Sequence, residues 1–412
     1  MRAVALYVGA LLGPGLLFIP ALADQTAGPA SIVAWMGLLL LSVPLAITFG
    51  ALGIRYPVAD GVSAYARAAF GESASRVTGV WFLTAVVLGA PAVALIGGYY
   101  VAGLVGGGSQ VAVAAALAMY VVVLGANAAG LRWSSGAQLV LSFALVALVA
   151  TAIAVAIPPR IGHHWSPFAP HGWWAVGSAA AILVWLFVGW EAMAQLAGDL
   201  PNPSRDLPRA IARTFALVTL LYVGIAVATI VVTGGRDTRV PLAALIGAAF
   251  GHTGRILTAV VAVALTAGTM NVYVAAGAKL AGALAVQASL PRWLAGERGR
   301  TIPRAPLALL TLTGAALLIA LKTGITTPAQ LVRATSACFV AVYFLALAAA
   351  TRLLRGPLRV AAATAVTLTC VVAAFSAAYL LVPGAAALAT LAAGSRRSAA
   401  VDPVSAMRGD PT

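Results

Sequence analysis

The first hydrophobic segment of the chain, from about residue 3 to residue 23, carries the tripeptide Gly13-Pro14-Gly15 near its centre. A segment of about 20 apolar residues is long enough to cross a bilayer as a helix. Pro14 removes a backbone donor and the two glycines allow non-helical dihedral angles, so we expect that helix to break at mid-depth. Broken backbone at that depth is tolerated only where it faces protein or a water-filled cavity, which is where transported solutes bind.

The remainder of the chain is equally apolar. Of its 412 residues, 62% are hydrophobic and only 8% are charged, whereas a soluble protein has about 25% charged residues. These values predict an all-α polytopic membrane protein, and we expect the first segment to remain as a span instead of being cleaved as a signal peptide. About twelve transmembrane (TM) helices are predicted, at about residues 3–23, 31–54, 78–104, 110–130, 136–157, 173–198, 210–233, 254–285, 305–322, 328–350, 357–374 and 376–394.

The basic residues predict the orientation of these spans. With the N-terminus in the cytoplasm, 19 of the 25 Lys and Arg residues fall on the inner side. Cytoplasmic loops carry an excess of basic residues, so we expect both termini to be cytoplasmic and the protein to lie in the cell inner (plasma) membrane. The net charge of +15 is therefore interpreted as a topology signal, with no nucleic-acid partner. Residues 395–412 are polar and are predicted to form a disordered tail.

No enzyme motif accompanies these features. The chain has no nucleotide-binding, zinc-protease or nucleophile-elbow pattern. Its two cysteines, Cys338 and Cys370, lie inside apolar runs and predict neither a disulfide framework nor a metal site. We therefore expect no enzyme activity, no metal and no cofactor.

The sixth predicted span has a second interruption, around Gly189, followed by Glu191. A carboxylate at mid-membrane costs several kcal/mol unless it is paired, hydrated or protonated, so Glu191 is a candidate functional residue. Spans one and six are five apart, which is the pattern of two five-helix inverted repeats that meet at a midplane site. The predicted transporter domain is 1–394, with a first repeat at 1–157, a second at 173–350 and two additional helices at 357–394.

Three motifs resemble those of the amino acid–polyamine–organocation (APC) transporter superfamily. The tripeptide Gly13-Pro14-Gly15 is similar to the glycine-rich break of helix one in that superfamily. Residues 56–65, Tyr-Pro-Val-Ala-Asp-Gly-Val-Ser-Ala-Tyr, resemble its loop after helix two, although Asp60 replaces a glycine. Residues 187–191, Phe-Val-Gly-Trp-Glu, and residues 201–210, Pro-Asn-Pro-Ser-Arg-Asp-Leu-Pro-Arg-Ala, resemble its helix-six break and the loop that follows.

The resemblance covers nearly the whole chain and implies the LeuT-like 5+5 inverted-repeat fold with broken helices 1 and 6. Within the superfamily, the phrases at residues 18–22, 187–192 and 271–273 resemble those of bacterial methionine and branched-chain amino-acid exporters. Span five lacks the lysine that some proton-coupled members of the superfamily carry, so the coupling ion remains open.

The two breaks also predict a binding site for an amino-acid zwitterion. Amides of Gly13, Gly15 and Leu16 would bind a carboxylate at the positive end of a half-helix, whereas Pro14 has no amide to offer. The alternative is a Pro-Gly kink that serves helix packing, since both residues are frequent in membrane helices. Exposed carbonyls near Phe187 and Val188 would accept from the ammonium group. Trp185, Phe187 and Trp190 would line or gate an apolar pocket, with ordinary core packing as the alternative.

The polar residues of the spans are candidates for coupling. Glu191 would titrate during proton coupling, hold the broken helices together, or serve as a protonated structural hydrogen-bonding group. Asn271 and Tyr273 are candidates for ion binding or gating, because the resemblance implies that span eight lies near the ion site of sodium-coupled relatives; interhelical hydrogen bonding is the alternative. Asp24 is expected to be a solvated charge at the outer mouth.

These observations predict a secondary active transporter that exports small apolar amino acids (Leu, Ile, Val and Met) by coupling to an ion, with a proton expected. Its partners would be the amino acid, the ion and the lipid bilayer. An uptake permease or exchanger of the same fold would share every motif. A channel would need polar rings along a pore, and a membrane enzyme would need a cluster of titratable residues at one depth, neither of which the sequence indicates.

Overall fold

The computed structural model describes residues 7–9, 11–56, 61–130, 135–160, 164–192, 194, 202–234, 238–287, 289–295 and 302–401. Motif residues 57–60 and 201 and tail residues 402–412, to which the sequence analysis assigned roles, lie outside this part of the chain. The described part contains helices and connecting turns, with no strand. Its α-helices are α1 (Ile19–Ala27), α2 (Ser31–Arg55), α3 (Val62–Phe70), α4 (Glu72–Val105), α5 (Ser109–Ala128), α6 (Ser135–Arg160), α7 (Trp174–Leu183), α8 (Pro203–Thr233), α9 (Pro241–Val286), α10 (Arg304–Lys322), α11 (Pro328–Leu353), α12 (Pro357–Ser376) and α13 (Leu381–Val401).

Nine helical stretches in the described residues are long and apolar enough to cross a membrane. One of them, Ile19–Arg55, joins the second half of predicted span one to span two, and Pro357–Ala393 joins spans eleven and twelve. Span six is present as the shorter apolar stretch Trp174–Phe187. The described part of the chain is that of an all-α polytopic membrane protein, as predicted.

Helices α4 and α11 form the centre of the bundle. In each of these two helices, 72% of the residues in an apolar 18-residue stretch are buried. The corresponding share in α5, α6 and α10 is 28–33%. Large apolar side chains on the peripheral helices point outward; Val121, Val122 and Leu312 are 68–69% exposed. Lipid tails are as apolar as these side chains, so this outer surface suits a bilayer.

Several helices differ from the predicted spans. Helix α8 begins at Pro203, inside the motif predicted to form a loop, and α3 lies between two predicted spans. Helix α9 begins at Pro241, before the predicted start near residue 254, and is kinked at Gly251, where φ is 61° and ψ is −143°. Glycine adopts a positive φ without the steric cost of a side chain, so the kink separates a short first part from the predicted span. Helix α13 continues to Val401, beyond the residue at which a disordered tail was predicted. Its last turns contain Ala and Arg, which are good helix formers.

The helices around predicted span six set the position of the candidate site. Helix α7 packs against α1, α2, α11 and α12, and the turn that follows α7 packs against α11. Helix α13 lies against α4, where the Trp81 indole N–H donates to the Pro383 carbonyl at 2.7 Å. The second break therefore lies inside the bundle, with α12 among the helices that surround it.

Candidate functional site

The first helix is broken at the position that the sequence predicts. The Leu12 N–H donates to the Val8 carbonyl at 2.8 Å, which is a helical bond. Gly13 is extended, with φ −116° and ψ 178°. The residues Pro14–Leu17 then form a single 3-10 turn, and α1 begins at Ile19. The proline supplies no amide to continue the helix, so the backbone leaves the helical path at mid-segment.

Two of the three predicted amide donors are available in this conformation. The Gly13 and Gly15 amides donate to no acceptor among the described residues. The Leu16 amide instead donates to the Gly13 carbonyl at 3.2 Å, closing the 3-10 turn. The Leu16 side chain is fully buried, so this residue contributes packing here and its amide is occupied.

The second break follows α7 directly. The residues Val184–Phe187 form a 3-10 turn, Val188 is extended with φ −77° and ψ 137°, and Gly189 has φ 127°. A residue with a side chain would be strained at that φ, which explains the glycine at this position. No donor among the described residues reaches the carbonyl oxygen of Phe187 or Val188. The two carbonyls that were predicted to accept a substrate ammonium are therefore free of described partners.

The two breaks touch each other at Gly15. A Cβ atom on Gly15 would lie 2.7 Å from Cδ2 of Leu186 and 3.0 Å from Cδ1 of Ile19. A Cβ atom on Gly13 would meet no atom of the described residues within 4 Å. Gly15 thus permits the close approach of the two broken segments, whereas no described residue crowds Gly13 and its free amide.

Tyrosine hydroxyls on neighbouring helices bind the broken backbones. The Tyr222 hydroxyl, on α8, lies 2.5 Å from the Leu186 carbonyl of the second break and 3.2 Å from the Leu11 carbonyl of the first. Tyr100, on α4, donates to the Leu17 carbonyl at 2.9 Å. Sequence analysis did not identify either tyrosine. A buried tyrosine hydroxyl in an apolar helix needs a partner, and that requirement was the signal available.

Glu191 is hydrogen-bonded within its own break and to α11. The Gly189 N–H lies 2.9 Å from Glu191 Oε2 and 3.0 Å from the Tyr343 hydroxyl, and that hydroxyl donates to the same Glu191 oxygen. Tyr273, on α9, interacts electrostatically with the Trp185 side chain and with Glu191. The structure therefore brings together three predicted residues, Trp185, Glu191 and Tyr273, and adds Tyr343.

The aromatic residues of the second break face different sides of the bundle. Phe187 packs against Trp35 of α2 and Tyr222 of α8, with ring centroids 6.1 Å and 5.1 Å away. Trp190 packs against Phe215 of α8 at 6.2 Å. All of these rings except Phe215 are at most 3% exposed. Phe187 and Trp190 therefore pack toward α2 and α8 in this conformation.

Trp185, Val188 and Asn271 complete the predicted set. The Trp185 ring approaches α4, where a Cβ atom on Gly89 would lie 3.3 Å from Trp185 Cζ2. Val188 and Tyr343 line a small cavity of ≈ 10 Å³. That volume is about what one water molecule needs. Asn271 is 3% exposed and its side chain has no hydrogen-bond partner among the described residues. Its amide is thus available inside the bundle.

Asp24 is buried, which corrects the expectation of a solvated loop charge. The residue lies in α1, is 1% exposed and accepts from the Thr233 hydroxyl of α8 at 2.5 Å. Nearby on the same half of the bundle, Phe18 stacks on Tyr99 at 5.6 Å, and the Arg239 guanidinium lies 5.2 Å from the Tyr99 ring centre. These contacts attach the second half of helix one to α8 and α4.

Comparisons with known proteins agree with this architecture. The family model described as amino acid permease matches residues 1–400. The uncharacterized amino acid permease YecA of Bacillus subtilis is 30% identical over 362 residues, which covers 86% of this chain and 84% of YecA. The L-methionine/branched-chain amino acid exporter YjeH of Escherichia coli is 31% identical over 368 residues, covering 88% of this chain and 87% of YjeH.

A third relative is similar over a shorter region. The branched-chain amino acid permease BcaP of Bacillus subtilis is 26% identical over 234 residues, which is 52% of this chain and 50% of BcaP. The predicted family is confirmed by the match over nearly the whole chain. The chain belongs to the amino acid permease family of the APC superfamily, and it is a multi-pass membrane transporter and not an enzyme.

Proposed function

We propose that this permease exports small apolar amino acids, namely leucine, isoleucine, valine and methionine, from a site between its two breaks. The observation that carries the proposal is the contact of Gly15 with the Leu186 side chain, which joins two broken segments that each have backbone groups free of described partners. Amides of Gly13 and Gly15 bind the substrate carboxylate. Carbonyls of Phe187 and Val188 accept from its ammonium group.

The composition of the breaks supports an apolar side chain on the substrate. Neither residues 12–18 nor residues 184–190 include a Lys, Arg, Asp or Glu, so a charged side chain would find only Glu191 beside the second break. Glu191 already accepts two hydrogen bonds. An apolar pocket separates substrates that differ by one methylene only about 10–200-fold. Overlapping recognition of the four amino acids follows.

Export is supported by the similarity to YjeH, whose name records export of methionine and branched-chain amino acids. The alternative is uptake or exchange by the same fold, and the similarity to BcaP, a branched-chain amino acid permease, favours it. Both relatives handle branched-chain amino acids, so the two candidate functions share a substrate class and differ in direction.

Cellular pools and vesicle counterflow separate these possibilities. Cells that overproduce the protein should hold lower internal pools of the four amino acids and resist their toxic analogues. Raised pools with sensitised growth would establish uptake instead. In proteoliposomes, counterflow of labelled leucine should be competed by the four substrates and not by lysine or glutamate. Competition by lysine or glutamate, or no counterflow with any of the four, would contradict the substrate class.

Glu191 is the proposed coupling residue, with a proton as the coupling ion. Its carboxylate holds the Gly189 amide and the Tyr343 hydroxyl. Protonation of Glu191 turns an acceptor into a donor, which weakens its hold on the Gly189 amide and loosens the second break. Loading and release of the proton would thus change the geometry of the carbonyls that bind the substrate ammonium.

The Glu191→Gln variant tests this role. It should still catalyse leucine counterflow and should lose the response of transport to an imposed pH gradient. Glu72→Gln is the matched control, because Glu72 is an exposed carboxylate that pairs with Arg67 at 2.9 Å outside the site. An unchanged pH-gradient response in Glu191→Gln would remove Glu191 from the coupling mechanism.

We also propose that both termini are cytoplasmic, that residues 1–157 and 173–350 form the inverted repeats, and that Asn271 and Tyr273 contribute to ion binding or gating. The excess of basic residues in the loops assigned to the inner side supports the orientation. The proximity of Tyr273 to Trp185 and Glu191 supports its gating role.

A further inference from the structure

A lateral groove of ≈ 790 Å³ lies between α2 and α8. Its walls are almost entirely apolar, and Val43, Ile47 and Ile54 along α2 are 39–43% exposed. At its floor the two helices approach closely, since a Cβ atom on Gly50 would lie 2.8 Å from Cδ1 of Ile211. In a membrane-spanning bundle, a groove of this kind opens toward the lipid.

The length of the groove fits one acyl chain. Val43 and Arg55 mark its two ends on α2. At a rise of about 1.5 Å per residue they are about 18 Å apart along the helix. Half of the hydrocarbon core of a bilayer is about 15 Å thick. An acyl chain of a single leaflet can therefore lie along the groove with its headgroup at the Arg55 end.

One arginine lines that end of the groove, and two others lie next to wall residues in sequence. Arg55 lines the groove itself. Arg205 lies one helical turn before Pro208, which is a wall residue on α8, and Arg359 follows the wall residue Leu358. The three arginines are exposed, and no salt bridge joins them to a carboxylate within the described residues. Arginine clusters between membrane helices bind anionic lipid headgroups.

The groove is connected to the second break by one aromatic contact. Phe215 is part of the groove wall and packs against Trp190, with ring centroids 6.2 Å apart. Trp190 follows Gly189, whose φ of 127° defines the break. An acyl chain in the groove would therefore contact the ring that packs against Trp190.

We propose that the groove between α2 and α8 binds an anionic diacyl phospholipid, with one acyl chain along the groove and the headgroup on Arg55 and Arg205. The bound lipid keeps Phe215 packed against Trp190 and so holds the second break in its transport-competent form. Binding stands on the groove and its charges alone, whereas the effect on transport rests on the proposed function.

Native mass spectrometry of the purified, delipidated protein tests binding. Phosphatidylglycerol should bind more tightly than phosphatidylcholine of the same acyl chains. Arg55→Gln and Arg205→Gln should each weaken phosphatidylglycerol binding about fivefold. Ala212→Phe, which fills the groove from α8, should abolish the preference. Leu220→Phe is the matched control, because Leu220 is 69% exposed on the same helix and does not line the groove.

Equal binding of the two lipids, or an unchanged preference in Ala212→Phe, would overturn the site. Leucine counterflow in liposomes with and without phosphatidylglycerol then tests the effect on the break. Wild type and Leu220→Phe should be faster with the anionic lipid, and Ala212→Phe should not respond. If lipid binds as expected and wild-type counterflow ignores it, the connection through Phe215 is wrong. If no amino acid shows counterflow in any lipid, the proposed function fails while the binding result stands.

Discussion

The contact between the two breaks can be tested by adding a single methyl group at Gly15. A Cβ atom there would lie 2.7 Å from Leu186 Cδ2, where ordinary van der Waals contacts begin at about 3.4 Å. Leu186 is 4% exposed, and Cδ1 of Ile19 blocks the same space at 3.0 Å. Overpacking of this kind costs about 1–3 kcal/mol. We expect Gly15→Ala to cost about 1–2 kcal/mol, because the nearest atoms are the ends of side chains.

Gly13→Ala is the matched comparison, two residues away in the same break. Gly13 is extended, a conformation that alanine adopts freely, and its Cβ atom would meet no described atom within 4 Å. Its thermal unfolding midpoint should equal that of the wild type. Its affinity for leucine should fall, since the methyl group occupies the space beside the amide that is proposed to bind the carboxylate. Gly15→Ala should lower both the midpoint and the counterflow rate.

A double-mutant cycle with Leu186→Ala isolates the clash. Leu186→Ala alone removes a buried side chain and should cost about 2–5 kcal/mol. In Gly15→Ala/Leu186→Ala the methyl group has room, so the pair should be more stable than the sum of the single changes by about 0.5–3 kcal/mol. Unfolding midpoints in detergent and leucine counterflow give the two readouts. Additive effects, or equal loss of stability in Gly13→Ala and Gly15→Ala, would refute the reasoning.

Three further predictions address the hydrogen bonds that hold helix one to α8 and the orientation of the protein in the membrane. Tyr222→Phe removes the hydroxyl between the two breaks, so it should lower the free energy of unfolding by about 0.6–1.7 kcal/mol and change the affinity for leucine. An unchanged affinity would exclude a role of this hydroxyl at the site. Asp24→Ala and Thr233→Val remove the same 2.5 Å bond, so each should loosen α1 from α8, with clearly non-additive unfolding midpoints when combined. In a Cys-free background, an impermeant thiol reagent on whole cells should label Ser166→Cys and not Ser204→Cys, and the reverse pattern would invert the topology.

The breaks were predictable because they depend on local chemistry. Gly13, Pro14 and Gly189 lie in apolar segments of spanning length, and their backbone preferences disfavour a continuous helix there. A single proline does not suffice, because Pro44 and Pro91 lie inside the unbroken helices α2 and α4, and the close spacing of glycine and proline in residues 13–15 was the stronger signal. The bonds that re-form at a break were not predictable in the same way. The Leu16 amide was a candidate donor by position, and a 3-10 turn to the Gly13 carbonyl now uses it.

The side chains that complete the site come from distant parts of the sequence. Tyr222 is 211 residues from Leu11, and Tyr343 is 152 residues from Glu191. Periodicity and composition describe one helix at a time, so they give no information on which buried hydroxyl meets which carbonyl. Asp24 shows the same limit. The sequence predicted a solvated charge there, because nothing local to Asp24 indicates that Thr233 of α8 packs against it and donates a hydrogen bond to it.

The tyrosine hydroxyls explain how a site built from broken backbone remains stable without substrate. Each break exposes polar groups that would cost several kcal/mol if left unsatisfied in an apolar bundle. Tyr100 and Tyr222 donate to carbonyls of the breaks, and Tyr343 accepts from the Gly189 amide. Only a few amides and carbonyls then remain for a zwitterion, so the polar part of recognition is the same for every amino acid. At the proposed site, discrimination among substrates would be left to the apolar walls, at about 0.8 kcal/mol for each methylene buried, which agrees with the proposal that it accepts several aliphatic side chains.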